Sequence, residues 1–163
     1  MAKKDSQPEG KPNAPRTVNR KARHDYHILE VVECGMELTG TEIKSLRAGQ
    51  MKIDEAFARV KGGQVFLVGA NIAPYPQAAA GMQHMPARDR KLLLHRRQIH
   101  QIETHVKQKG KTLIPLAVYF KRGWAKCELG IAVGKQQHDK RQDLKRREHQ
   151  RDIQREMGRR NRR

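Results

Sequence analysis

Three histidines, His95, His100 and His105, recur at five-residue steps. Five residues turn a helix through about 140°, so the three imidazoles would not share a face. No Cys or carboxylate stands beside them at ligand spacing, and a metal site is rejected. The paired carboxylates Asp54 and Glu55 are neighbours in a strand-like stretch, so they face opposite sides and cannot flank one substrate bond. No nucleophile elbow, P-loop or H-E-x-x-H occurs. Cys34 and Cys127 make no C-x-x-C pair and read as buried, reduced thiols. The sequence therefore offers no catalytic constellation and asks for no cofactor. The chemistry it does offer is cationic: the cluster Asn19-Arg20-Lys21-Ala22-Arg23, then Lys44 and Arg47 three residues apart, then a run of Lys and Arg after Gly134.

The chain has 35 Lys and Arg against 17 Asp and Glu in 163 residues, a net charge of +18. The charge is densest at the ends. Residues 1–23 carry +5, residues 24–134 carry +6, and the 29 residues from Lys135 to Arg163 carry +7. So positive a surface repels itself unless a polyanion neutralises it. An anionic membrane is the weaker candidate. The longest uncharged stretch, Gln64 to Ala87, holds Asn71, three prolines and several Gln, which a bilayer core would not accept. The basic N-terminus meets Gly10, Pro12, Asn13 and Pro15 instead of an apolar run, so no signal peptide is read and a cytoplasmic location is expected. RNA fits better than double-stranded DNA. The aromatics are few and most occupy strand positions suited to a core, so phosphate contact and shape are expected to outweigh base stacking.

Elements must hold these cations in place. Residues 1–18, rich in Pro and Gly, are expected to form a disordered basic arm. A first strand is read over His24–Glu33, continuing past Gly35 into Met36–Leu38. A short helix follows over Gly40–Gly49, with Thr41 as N-cap and Gly49 just past its end. In it Ile43 and Leu46 face inward while Lys44 and Arg47 face outward, where they could be no more than a solvated face. Ile53–Val60 and Gln64–Val68 flank a Gly62-Gly63 hairpin turn. Asn71–Met85 reads as an irregular excursion, and Asp89–Val106 as a long helix through Leu92, His95, Ile99, Ile102 and Val106. Leu92-Leu93-Leu94 is wider than one helical stripe needs, leaving one leucine for a partner unless all three are buried. Thr112–Lys121 and Trp124–Val133 are two more strands, with Pro115 at an edge or bulge. The sum is a mainly β fold: a small six-stranded antiparallel barrel of oligonucleotide-binding (OB) type, spanning residues 19–133, with flanking α-helices.

Beyond it, residues 134–163 form a basic tail. Gln142–Met157 has high helix propensity, yet its apolar residues are only Leu144, Ile153 and Met157. A helix that is polar all round has nothing to pack on, so the tail is expected to be disordered in isolation and helical against a polyanion.

Four stretches carry a more specific signal: Asn19 to Tyr26, Gly40 to Gly49, Arg90 to Leu94, and Gly134-Lys135-Gln136-Gln137-His138-Asp139-Lys140-Arg141. In order and spacing they resemble the SsrA-binding protein family (small protein B) of bacterial trans-translation. The resemblance implies an OB-type barrel that binds the tRNA-like domain of transfer-messenger RNA and, with elongation factor Tu, delivers it to ribosomes stalled without a codon. The tail would enter the vacant mRNA channel and become helical, and the stalled peptide would be tagged. The RNA-binding face would fall on Asn19, Arg20, Lys21, Tyr26, Glu33, Lys44, Arg47, Leu93 and Lys126. The decoding-region face would fall on Gly134, Lys135, His138, Asp139, Lys140 and Arg141, with Met157 in the distal tail. Glu33, odd in a cationic site, would accept from base amino groups or orient a basic neighbour. His149 and Glu156 depart from the family's Trp and apolar residue, shifting tail docking toward Arg151 and Arg155. Without the resemblance, the residues also fit a generic rRNA-associated basic protein. A small nuclease comes third, with no residues to assign it.

Overall fold

The computed structural model describes residues 15–79 and 81–136, together with Ile153 and Met157. From the N-terminus come β1 (Thr17–Val18), α1 (Arg20–Asp25), β2 (Tyr26–Met36) and α2 (Gly40–Arg47). Then follow β3 (Met51–Lys52), β4 (Phe57–Lys61), β5 (Gln64–Val68) and β6 (Asn71–Ile72). The last four are β7 (Arg90–Leu93), α3 (Arg96–Val106), β8 (Lys111–Lys121) and β9 (Trp124–Gly134).

Six strands pair antiparallel into a closed ring, β8–β4–β5–β7–β2–β9 and back to β8. Closure removes most of the open edge an isolated sheet would expose. Where β4 leaves β8 after Ala58 meets Leu113, β1 takes over, with Thr17 and Val18 opposite Val118 and Ala117. A separate two-stranded ribbon pairs β3 with β6. The expected mainly β barrel with flanking helices is therefore present.

Strand alternation sends one side of every strand inward. Cys34, Val65, Leu67, Leu92, Leu113, Val118, Cys127, Leu129 and Ile131 form one core, which Leu46 of α2 and Ile102 of α3 join. Each fully buried Leu or Ile there contributes about 1.5–3 kcal/mol. Cys34 and Cys127 are directly opposite on β2 and β9, buried and reduced, as read from the sequence. The Cys34 thiol donates to the Cys127 carbonyl at 3.2 Å. The β8–β9 register slips between Pro115 and Ala117, which puts the proline at a bulge.

Two hairpins have two-residue turns with both residues at positive φ, Gly62 and Gly63 at 57° and 67°, and Arg122 and Gly123 at 52° and 82°. This is the turn whose twist matches that of the flanking strands, and it favours Gly or Asn at both positions. Arg122 is the one residue other than Gly at positive φ among the described residues. Arg122→Asn is therefore expected to stabilise the fold by about 0.5–1 kcal/mol, read as a higher denaturant midpoint with an unchanged slope.

Several boundaries differ from the sequence reading. The expected helix over 89–106 is two elements. Arg90–Leu93 is a strand paired with both β5 and β2, and the helix begins only at Arg96. Three leucines in a row satisfy a helix stripe or a buried strand equally, and here the gap between β5 and β2 decides. Gly35 does not interrupt its strand but stays in β2 between Leu93 and Lys126. The N-cap of α2 is Thr39, not Thr41. The stretch Ile53–Val60 is not one strand, since a turn separates β3 from β4. Thr17 and Val18, expected in a disordered arm, are paired with β8. The expectations for residues 1–14 and for the tail from Gln137 lie outside the described residues, except that Ile153 and Met157 are helical and exposed.

Candidate nucleic-acid interface

Short helices need anchoring, and α1, at six residues, is held by the residue that precedes it and by one buried side chain. Asn19 is 2% exposed. Its Oδ1 accepts from the Ala22 N–H at 2.9 Å, its Nδ2 donates to the Ile53 carbonyl at 3.1 Å, and its backbone N–H donates to the Leu116 carbonyl at 2.9 Å. Ala22 is buried against Ile114, Leu116 and Ala132, with Tyr26 packed alongside. The result is that Arg20, Lys21 and Arg23 project from an anchored turn, all exposed. Asn19 thus sits in the structure as a cap with both ends of its amide in use, not as a group open to a ligand. Asn19→Ala removes the cap and one of the two donors to the Ile53 carbonyl, which keeps the Ala56 N–H at 3.2 Å, for an expected cost of about 1 kcal/mol by denaturant unfolding.

The end of β9 returns to the same helix. Tyr26 lies opposite Gly134, the Lys135 N–H donates to the Asp25 carbonyl at 2.9 Å, and Lys135 Nζ donates to the Arg23 carbonyl at 3.0 Å. The root of the basic tail is tied to the last turn of α1, where a cation also complements the helix dipole.

On α2, Leu46 is fully buried while Lys44 and Arg47 are exposed, as the spacing predicts. Lys44 lies over the Tyr75 ring at 5.2 Å and Arg47 over the Phe120 ring at 5.6 Å, so both cations start from defined positions. What aims the helix is a buried ionic key. Glu42 and Arg90 are both fully buried. Glu42 accepts from Arg90 Nε at 3.0 Å, from Arg88 Nε at 2.8 Å and Nη2 at 2.5 Å, and from the Thr39 N–H at 2.8 Å. Arg90 also donates to the carbonyls of Ala70 at 2.6 Å, Arg88 at 3.0 Å and Pro86 at 2.7 Å. Burial by itself would raise the Glu42 carboxyl, but the Arg88 and Thr39 hydrogen bonds and the Arg90 and Arg88 charges outweigh it and hold the pKa below its ordinary value. The excursion after β6 is pinned to α2 as well. His84 bonds the Thr41 hydroxyl at 2.9 Å and the Ile72 carbonyl at 3.2 Å, so its Nε2 must carry the proton.

A third group lies on the outer face of the barrel. One register row crosses four strands: Leu93 on β7, Gly35 on β2, Lys126 on β9 and Tyr119 on β8. A Cβ on Gly35 would come within 3.2 Å of Leu93 Cβ, so a larger residue there would push the leucine aside by a few tenths of an ångström. Two residues from Gly35 on the same face, Glu33 accepts from the Tyr119 hydroxyl at 2.6 Å and from Lys121 Nζ at 2.9 Å, with Lys126 Nζ at 3.9 Å. The Tyr119 bond first, then Lys121, hold the Glu33 carboxyl below its ordinary pKa. Burial and the Glu33 acceptor raise the Tyr119 phenol, which stays a donor throughout the physiological range. Arg16 pairs with Glu128 at 3.0 Å and covers the Tyr119 ring at 5.3 Å.

The structure therefore groups the residues singled out from the sequence in three places. Asn19, Arg20, Lys21 and Tyr26 gather at α1, joined there by Gly134 and Lys135. Lys44 and Arg47 stand on α2, and Glu33, Leu93 and Lys126 on the outer sheet. His138, Asp139, Lys140 and Arg141 lie outside the described residues, and Met157 is exposed. Sequence reasoning missed the Glu42–Arg88–Arg90 key, although the T-x-x-E spacing from Thr39 to Glu42 announces a capping box. It also missed Tyr119 and Lys121, and it read most of the aromatics as core without singling out Trp124, which is 74% exposed. The tip position of Trp124, one residue after the turn, keeps it out of the barrel. Among the described residues, no group of His, Cys, Asp or Glu could hold a metal ion, and no helix is long and apolar enough to cross a membrane.

Comparison with known proteins gives one consistent result. The family model described as SmpB protein matches residues 16–159. The chain is 54% identical over 142 residues to the SsrA-binding protein of Chloroflexus aggregans, covering 87% of this chain and 90% of that protein. It is 49% identical over 157 residues to that of Corynebacterium urealyticum, covering 96% and 88%. A solved structure described as "tmRNA-SmpB: a journey to the center of the bacterial ribosome" superposes with a TM-score of 0.64 at 48% identity, over 76% of this chain and 87% of that one. A barrel of this architecture, matched over nearly its whole length at about half identity, belongs to the SmpB family, the SsrA-binding proteins.

Proposed function

We propose that this chain binds the tRNA-like domain of transfer-messenger RNA and delivers it to stalled ribosomes for trans-translation, acting by binding and without a catalytic step. The observation that carries the reading is the buried Glu42–Arg90 key, which fixes α2 so that Lys44 and Arg47 project together, in a chain whose relatives are named SsrA-binding proteins. Two cations at fixed spacing on a rigid helix suit the phosphate backbone of a folded RNA. Arg20 and Lys21 on α1 add to that contact, Asn19 and Tyr26 position them, and Glu33, Leu93 and Lys126 make a second patch of it.

The chain works as three parts: an N-terminal basic arm over 1–18, an RNA-binding body over 19–133 and a tail over 134–163. Gly134, Lys135, His138, Asp139, Lys140 and Arg141 face the decoding region, and the tail with Met157 follows the mRNA channel as a helix. Elongation factor Tu joins through the shared RNA, and the whole acts in the cytoplasm. A net charge of +18 would equally suit a protein that neutralises rRNA without selecting a partner. Sequencing the small RNA that co-purifies with the full chain separates the two. Transfer-messenger RNA should dominate, and its absence would sink the assignment. Truncation after Val133 should leave that RNA bound while peptide tagging stops, whereas a broad loss of RNA affinity would favour the generic reading.

A further inference from the structure

Trp124 is the single tryptophan in the chain and is 74% exposed on the outer face of the barrel. Its partner across the hairpin is Lys121, and two residues along the same face stands Lys126, opposite Tyr119. Inward residues Ala125 and Cys127 alternate with it, so Trp124, Lys126, Tyr119 and Lys121 share one surface. Glu33 draws the lysines together, 2.9 Å from Lys121 Nζ and 3.9 Å from Lys126 Nζ, and Tyr119 fixes Glu33 from the third side at 2.6 Å. An exposed indole beside two gathered ammonium groups has the parts of a nucleotide seat. A π-face stacks on a base, point charges meet its phosphate, and a buttressed carboxylate keeps the charges from spreading apart. The acid is therefore no obstacle to an anionic ligand, because two lysines meet one carboxylate and the local sum stays positive.

We propose that Trp124, Lys121 and Lys126 form a seat for one unpaired nucleotide of the bound RNA. The base stacks on Trp124, the phosphate lies between the two lysines, and Glu33 and Tyr119 act as positioning residues. The seat rests on the RNA-binding reading above and adds a stacked loop nucleotide where sequence reasoning expected phosphate contact and shape to outweigh base stacking.

The lone tryptophan makes the test direct. Full-length protein is titrated with transfer-messenger RNA and with an unrelated structured RNA, while binding is followed separately by filter retention. Stacking quenches Trp124 emission and shields it from acrylamide. Trp124→Ala should weaken binding about tenfold, with the slope of log affinity against log salt unchanged, since the indole meets no phosphate. Trp124→Phe should restore most of the affinity, and Lys121→Ala should lower the slope by about 0.7–0.9. Tyr119→Phe should weaken binding with an unchanged slope, and it should move the pH at which binding changes as Glu33 titrates, which a merely structural tyrosine would not do. Binding without any change in Trp124 emission overturns the seat and leaves the wider reading standing. Quenching by the unrelated RNA alone keeps the seat and removes transfer-messenger RNA as its partner. No binding to either RNA overturns both.

Discussion

Arg90→Met is expected to destabilise the fold by about 3–5 kcal/mol, most of the stability a domain of this size possesses. Arg90 is wholly buried and donates to Glu42 and to three carbonyls, so its removal withdraws a donor from four acceptors, although Glu42 keeps Arg88 and the Thr39 N–H and the Pro86 carbonyl keeps the Ile72 N–H. Glu42→Gln should also be strongly destabilising, because the amide NH2 must face donors that the carboxylate accepted from and the Arg90 charge is left buried without its counter-ion. The double variant Glu42→Leu with Arg90→Met should recover part of the loss, since no fully buried charge then remains and Arg88, a third exposed, can turn to solvent. Denaturant unfolding of the four proteins measures this, and equal losses in single and double variants would show that the ion pair is not the cause.

The same key sets an acid limit. The Glu42 pKa in the folded protein lies below its ordinary value, so its contribution is complete above the unfolded carboxylate pKa of about 4.3 and is lost as pH falls through the folded value. Stability of the native chain should therefore decline more steeply below about pH 4.3 than that of Glu42→Gln.

Lys44→Ala with Arg47→Ala is expected to weaken binding to transfer-messenger RNA by roughly a hundredfold or more at low salt, each charge-assisted contact contributing at least about 1.5 kcal/mol. The salt slope should fall by about 1.4–1.8, two phosphate contacts' worth. Stability should scarcely change, because both side chains are exposed and α2 is held from beneath by Leu46 and Glu42. The complementary variant, Lys140→Ala with Arg141→Ala, should leave RNA binding within about twofold, its slope altered by less than one contact, while tagging of the stalled peptide stops. An affinity collapse in the tail variant would abolish the division between body and tail.

These two results probe features of very different legibility. Lys44 and Arg47 could be placed from spacing, because two residues three apart on a short helix share a face, although the inward face proves to be Glu42, Ser45 and Leu46, with Ile43 only half-buried at its margin. The Gly62-Gly63 hairpin was equally readable, since only glycine accepts positive φ at both positions without strain. Glu42 and Arg90, by contrast, are 48 residues apart, and no local pattern says that an arginine preceding three leucines will be buried. The cap at Asn19 was hidden for a related reason. A six-residue helix has too weak a propensity to announce itself, and this one exists because Ala22 finds a place against Ile114 and Leu116.

What the sequence by itself determined is whatever depends on local chemistry or total charge. That includes a polyanion as partner, a mainly β barrel with its turns, the outward cations of α2, the buried unpaired thiols, and the family through its four motifs. Only the tertiary structure decided that Arg90–Leu93 is a strand, that Asn19 is a cap, and that the tail root is tied to α1. It alone gathered Tyr119, Lys121, Lys126 and Glu33 beside an exposed Trp124. In each of these cases at least one partner is distant in the chain: β2 and β5 for Arg90–Leu93, Ile53 and Leu116 for Asn19, Lys135 for α1, and Glu33 for the β8–β9 hairpin. That part of the free energy lies outside any window of neighbouring residues.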